Sequence, residues 1–71
     1  MSIDLTNEEK LNIVNQHLKV VDYAIYGYQL DLLEAEAVAT PDASFVASLN
    51  ERISNATLKR TALVEEKNSL T

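Results

Sequence analysis

The sequence predicts an all-α protein: an antiparallel two-helix hairpin in which helix 1 covers about residues 7–39 and helix 2 about residues 41–68. Three observations predict this class. Glycine and proline occur once each, so the turn residues that usually bound β-strands are almost missing. Apolar residues recur at spacings of three and four, which is typical of amphipathic helices. This pattern breaks at Thr40-Pro41-Asp42, where we expect the connection.

Helix 1 opens with a capping-box sequence, Thr6-Asn7-Glu8-Glu9. In this motif the Thr hydroxyl accepts a hydrogen bond from the backbone N–H three residues on, and the Glu carboxylate accepts one from the backbone N–H of the Thr. We therefore expect the helix to begin near Asn7. Its apolar series then runs Leu11, Val14, Leu18, Val21, Ile25, Tyr28, Leu32, Ala35, Ala39.

Helix 2 is predicted to begin at Pro41. Proline disfavours helical geometry at the preceding residue, and its missing N–H is harmless in a first turn, so we expect Thr40 to act as the N-cap. Asp42 would then lie where a helix N-terminus favours an anion. The core series of helix 2 is Val46, Leu49, Ile53, Ala56, Arg60, Leu63, Lys67, Leu70.

The short connection makes the two helices antiparallel, and their core positions match in one register. The predicted layers include Leu11 with Leu70, Leu18 with Leu63, Ile25 with Ala56, Tyr28 with Ile53, and Leu32 with Leu49. Arg60 would face Val21, with Asp22 as its ionic partner. Two further pairs of opposite charge are expected beside the core, namely Asp31 with Arg52 and His17 with Glu66.

Size and composition limit what the chain can be. We treat its 71 residues, 46% of them hydrophobic, as a single domain, 1–71, whose core alone would contribute only a few kcal/mol. There is no cysteine, so neither a disulfide nor a thiolate metal site is available. The N-terminal residues lack the features of a secretion signal, and the charges within residues 18–39 argue against a membrane span. We therefore expect a cytoplasmic protein without a membrane partner.

Charge is distributed unevenly. The net charge is −5, and residues 1–39 hold seven of the eleven acidic residues but two of the six basic ones. A surface that binds phosphates needs the opposite sign, so the sequence argues against nucleic acid as a partner. A cationic protein is the alternative that this charge favours.

Helix 1 carries a second apolar series on the side opposite Ile25. Its members, together with two residues that lie between the two series, are Ile13, Val20, Tyr23, Tyr26, Gly27, Leu30 and Leu33. A hairpin needs one apolar face per helix, so helix 2 can cover only the first series. A glycine inside a helix costs ~1 kcal/mol against alanine, and Gly27 therefore suggests close approach of another helix. We predict a homo-oligomer, most simply a homodimeric four-helix bundle; coverage by a different protein is the alternative.

Residue types that carry chemistry do not form a recognisable site. His17 has no carboxylate or second histidine three or four residues away, so no metal site is predicted. No nucleophile or base accompanies the acidic residues, so neither catalysis nor a cofactor is expected. The acidic residues that could instead form a docking patch are Asp22, Asp31, Glu34 and Glu36.

Two functions follow from these patterns. The first is a non-enzymatic module for protein–protein interaction or assembly that acts through helix packing. The alternative is an acidic inhibitor or decoy that docks onto a basic surface of a partner protein. Salt distinguishes them, because ionic docking weakens as ionic strength rises and apolar association does not.

Overall fold

The computed structural model describes residues 4–71 and has two helices, α1 (Asn7–Glu36) and α2 (Ala43–Ser69), which pack against each other. The end of α2 lies beside the start of α1, since Glu66 and Leu70 share a groove with Lys10 and Val14. The all-α antiparallel hairpin is therefore confirmed. It is a narrow rod of 54 × 18 × 17 Å. The prediction that the N-terminal residues lack a secretion signal rests in part on residues 1–3, which lie outside the described residues.

The capping box at the start of α1 is confirmed. The backbone N–H of Glu9 donates to Oγ1 of Thr6 over 3.1 Å, and the backbone N–H of Thr6 donates to Oε1 of Glu9 over 3.0 Å. The pKa of the Glu9 carboxyl is lowered below its ordinary value of 4.5, first by the hydrogen bond from the Thr6 backbone N–H and second by hydrogen bonding to the Thr6 side chain. The helix therefore begins at Asn7, where the sequence predicts it.

The connection between the helices is longer than predicted. Residues at the predicted end of helix 1 and the predicted start of helix 2 belong to the connection. α1 ends at Glu36 instead of Ala39, and the N–H of Ala37 closes the last turn on the carbonyl of Glu34. Ala39, predicted as a core residue, is exposed. An alanine offers little apolar surface with which to hold a further turn against α2, and the chain must also become extended before Pro41.

Asp42, not Thr40, caps α2, and the helix begins at Ala43 instead of Pro41. Oδ1 of Asp42 accepts from the backbone N–H groups of Ser44 and Phe45 over 3.0 and 3.2 Å. The negative charge of a carboxylate is favoured by the helix dipole and strengthens both hydrogen bonds, whereas a threonine hydroxyl carries no charge. Pro41 consequently lies in the connection.

The core is thin because each helix buries only one face. Leu49 is completely buried, and Leu18 and Ala56 are nearly so. Except for Ala39 and Arg60, which are exposed, the other predicted core positions are half-buried: Leu11, Val14, Val21, Ile25, Tyr28, Leu32, Ala35, Val46, Ile53, Leu63, Lys67 and Leu70. The periodicity of the sequence therefore identified the packed face of both helices.

Of the three predicted ion pairs, one forms. Nε of Arg60 lies 2.7 Å from Oδ1 of Asp22, and it is the one ion pair within 4.0 Å among residues 4–71. The predicted pairs Asp31–Arg52 and His17–Glu66 are thus wrong. The Glu66 carboxylate instead accepts a hydrogen bond from the hydroxyl of Ser69, one turn away on its own helix. A local partner costs less side-chain ordering than one across the helix interface.

Neither helix of the described part of the chain combines the length and apolar character needed to cross a lipid bilayer.

Candidate interaction face of α1

The second apolar series of α1 is exposed in the hairpin. We call it the outer face: Ile13, Val20, Tyr23, Tyr26, Gly27, Leu30 and Leu33. Val20, Tyr23, Tyr26 and Leu33 keep between 62% and 69% of their surface accessible. At ~100° per residue Tyr23 lies about half a revolution from the packed series. Tyr26 and Leu33 lie between the two series, and Val20 borders a groove that it shares with Lys59 of α2. The structure thus brings the seven predicted residues onto one side of the hairpin and leaves six of them exposed, with Gly27 half-buried.

The apolar surface of the outer face is large for a chain of this size. Ile13 and Leu30 are 42% and 39% exposed, which is less than the other members. Taking on the order of 150–200 Å² for each large apolar side chain, the six exposed side chains together present about 600 Å². That is the upper end of what a monomeric protein leaves bare, and it approaches the roughly 800 Å² per partner of a standard interface.

Gly27 lies in the middle of the outer face. A Cβ atom built at this position would meet nothing within 4 Å, so the hairpin itself does not require a glycine there. The backbone conformation does not require one either, since φ at Gly27 is not positive. A glycine inside a helix nevertheless costs ~1 kcal/mol relative to alanine. Neither packing nor conformation within the single chain offsets this cost.

The outer side of α2 is different in character. Leu58, at 67% exposed, is its large apolar residue away from the core. Around it lie small and polar side chains, of which Thr57 and Thr61 direct their hydroxyls to the carbonyls of Ile53 and Thr57. The extended exposed apolar surface of the hairpin therefore lies on α1 and not on the outer side of α2.

Two exposed apolar residues near the connection were not singled out from the sequence. Val38 and Phe45 are 55% and 47% exposed. Phe45 lies one residue before a core position in the first turn of α2, where the 3–4 pattern gave no signal that its ring would be left half-covered. They lie at the loop end of the hairpin, apart from the outer face.

The four acidic residues proposed as a docking patch do not face one direction. Asp22 is bonded to Arg60 and flanks α2, whereas Asp31, nine residues later, lies about 180° away around the helix. Asp31, Glu34 and Glu36 are exposed near the end of α1. One of the four carboxylates is therefore already paired within the chain. Asp31 and Glu34 lie at the end of the outer face, whereas Glu36 is turned about 160° away from Glu34 around the helix.

Lys19 places a positive charge beside the outer face. Its Nζ lies 6.0 Å from the centre of the Tyr23 ring, at the limit of a cation–π contact. The N-terminal half of α1 also holds Lys10 and His17. Charge thus changes along the helix, from a mixture of both signs before Tyr23 to acidic residues alone beyond it.

Two open grooves border the helix interface. One groove of about 360 Å³ lies at the free ends of the helices between Ile13 and Leu70, and another of about 340 Å³ lies between Val20 and Lys59. Within residues 4–71 no three His, Cys, Asp or Glu side chains cluster in a way that could hold a metal ion. His17 is exposed on α1.

Comparison of the chain with protein-family models, with curated proteins and with solved structures found no match.

Proposed function

We propose that this protein is a small, non-enzymatic assembly module that acts through helix packing, and that its outer face binds a second copy of the chain. The resulting homodimer contains four helices, with each α1 held between its own α2 and the α1 of the second copy. The observation that carries the proposal is the continuous exposed outer face, centred on a glycine that the single chain does not need.

Stability arguments support the same conclusion. The hairpin buries three side chains well, and a core this small leaves little free energy of unfolding. Residues 1–71 contain no cysteine that could add a covalent constraint. Covering the outer face would remove additional apolar surface from water, at about 25 cal/mol per Å² before the entropic cost of association. Self-association thus supplies what the isolated core lacks.

A matched pair of variants tests the proposal. Leu33 on α1 and Leu58 on α2 are both 67% exposed, so Leu33→Gln and Leu58→Gln remove equal apolar surface from the single hairpin. We expect Leu33→Gln to weaken dimerisation at least tenfold in sedimentation equilibrium and Leu58→Gln to leave it unchanged. Circular dichroism should show helical content preserved in both. Equal behaviour of the two variants, or a monomeric wild type at micromolar concentration, would contradict the proposal.

Gly27→Leu provides a second test that separates folding from association. A Cβ at this position meets no other side chain of the hairpin, and leucine is a better helix former than glycine by roughly 0.8 kcal/mol, so the helix itself should gain stability. In the dimer the added side chain would fill the space through which a neighbouring helix approaches. We expect a more helical chain that dimerises poorly. A variant that dimerises as well as the wild type would exclude Gly27 from the interface.

A further inference from the structure

The distribution of charge along α1 bears on how two outer faces could meet. Between Asn7 and Val21 the helix carries Glu8, Glu9, Lys10 and Lys19, whose charges balance. From Asp22 to Glu36 it carries four carboxylates and no base, and one of these, Asp22, is neutralised by Arg60. The two halves of the same face therefore differ in charge, and orientation decides which halves meet.

A parallel dimer would set each residue of the outer face against its own copy. Glu34 follows Gly27 by one heptad and so lies on the same line of the helix, which would bring two Glu34 carboxylates together inside the contact. Asp31 lies at the edge of the same end. Like charges brought together and removed from water cost free energy, so the parallel arrangement is disfavoured.

We infer that two copies pack α1 against α1 in antiparallel orientation, with the two-fold axis at the level of Ile25; this inference rests on the proposed function. In an antiparallel helix pair, residues at the two core positions of the heptad form mixed layers. The layers of this register are Ile13 with Ala37, Val20 with Leu30, and Tyr23 with Gly27, each formed twice across the axis.

The central layer explains why a glycine stands at position 27. Tyr23 is 69% exposed, and apart from the chain neighbours of Gly27 and the backbone of its own helix, no atom of the hairpin lies within 4 Å of the place that a Cβ on Gly27 would take. The Tyr23 ring of one copy can thus lie over the bare backbone at Gly27 of the other, which lets the helices approach closely. Tyr26 and Leu33 lie beside these layers and cover one edge of the seam.

The same register also joins groups of complementary chemistry. Gln16 of one copy lies beside Glu34 of the other, so a side-chain amide can donate to the carboxylate. His17 of one copy lies beside Asp31 of the other, and both are exposed in the single hairpin. Asp31 and Glu34 thereby each meet a hydrogen-bond donor in place of another carboxylate.

Disulfide trapping tests the orientation, because the natural chain has no cysteine. In the antiparallel register Val20 lies against Leu30 of the other copy, whereas the two copies of Val20 are ten residues apart, which is about 15 Å. Mixing Val20→Cys chains with Leu30→Cys chains under mild oxidation should therefore yield the mixed disulfide, resolved by mass, and neither self-disulfide, since a disulfide needs Cβ atoms about 4 Å apart.

The outcomes distinguish a failure of the antiparallel register from a failure of the proposed self-association. A Val20→Cys self-disulfide, or a dimer in sedimentation that forms no disulfide at all, overturns the antiparallel register but leaves the assembly module intact. A wild-type chain that is monomeric overturns the proposed function itself. Leu58→Cys serves as the control for random collision, since it lies on α2 and should remain reduced.

A charge variant keeps the test independent of cysteine chemistry. Gln16→Lys would place an ammonium beside Glu34 of the other copy in the antiparallel dimer, but beside its own equivalent in a parallel one. Asn50→Lys adds the same charge on an exposed position of α2 and corrects for the change in net charge. We expect Gln16→Lys to tighten the dimer about two- to fivefold relative to Asn50→Lys. Weakening by Gln16→Lys would contradict the register.

Discussion

Nε of Arg60 donates a hydrogen bond to Oδ1 of Asp22 over 2.7 Å, and this contact joins the two helices at a position where the core pattern would place an apolar layer. The two side chains keep 47% and 52% of their surface accessible, so water screens the pair. The contact forms in the same antiparallel alignment that buries Leu18 and Ala56, and as an exposed pair it adds little to the stability of the fold.

A double-mutant cycle on this pair should give a small coupling energy. We expect Asp22→Asn, Arg60→Met and the double variant to report a coupling of less than ~1 kcal/mol in urea unfolding, because both groups are half-exposed. The coupling should fall further in 1 M NaCl, where the Debye length is about 3 Å. A coupling of several kcal/mol that survives salt would show that the pair is desolvated in solution.

Leu49 should dominate the stability of the hairpin. It is the one large side chain among residues 4–71 that is fully buried, so Leu49→Ala leaves a cavity in the centre of the core. We expect a loss of about 2–5 kcal/mol in the free energy of unfolding, enough to unfold much of so small a protein. Leu58→Ala deletes the same atoms from a side chain that is 67% exposed, and should change stability by about 0.5 kcal/mol or less. Thermal denaturation of both variants measures the difference.

The capping box predicts a dependence of α1 stability on pH. The hydrogen bonds from Thr6 lower the pKa of Glu9 below 4.5 in the folded chain, so the charged form stabilises the helix start. This contribution is complete above the unfolded pKa and is lost as pH falls through the folded pKa. NMR titration of the Glu9 carboxyl should give a lower pKa in the native chain than in urea, and the stability of the wild type relative to Glu9→Gln should decline below about pH 4. Identical pKa values in the two states would mean that the cap is not formed in solution.

The sequence predicted the helices, their packed faces and the start of α1, because apolar periodicity and the capping box are local signals. It misplaced the connection by a few residues, since Thr40 and Asp42 both satisfy the rules for an N-cap and only the three-dimensional path of the loop selects the carboxylate. The predicted partners of Arg52 and His17 were wrong for a related reason. A long exposed side chain can pair with several neighbours at nearly equal free energy, whereas the buried side chain of Leu49 has a single packed position.

The outer face was identified from the sequence as a set of residues, and the structure shows that these residues are exposed together. The apolar residues do not by themselves set the orientation of a second copy on this face; the charges along α1 do. The lack of any steric need for Gly27 within the hairpin could not be read from the sequence, as it depends on the space left by the neighbouring side chains.

Salt should strengthen self-association through the outer face. Each chain carries a net charge of −5, so two copies repel at low ionic strength, while the surface that they bury is apolar. Raising NaCl from about 0.01 M to about 0.5 M shortens the Debye length severalfold, from roughly 30 Å to a few Å, and removes most of this repulsion. We therefore expect the dimer dissociation constant, measured by sedimentation equilibrium, to fall as salt is added. Association that weakens steeply with salt would instead indicate ionic docking through the exposed carboxylates of Asp31, Glu34 and Glu36, the behaviour expected of a decoy for a basic partner.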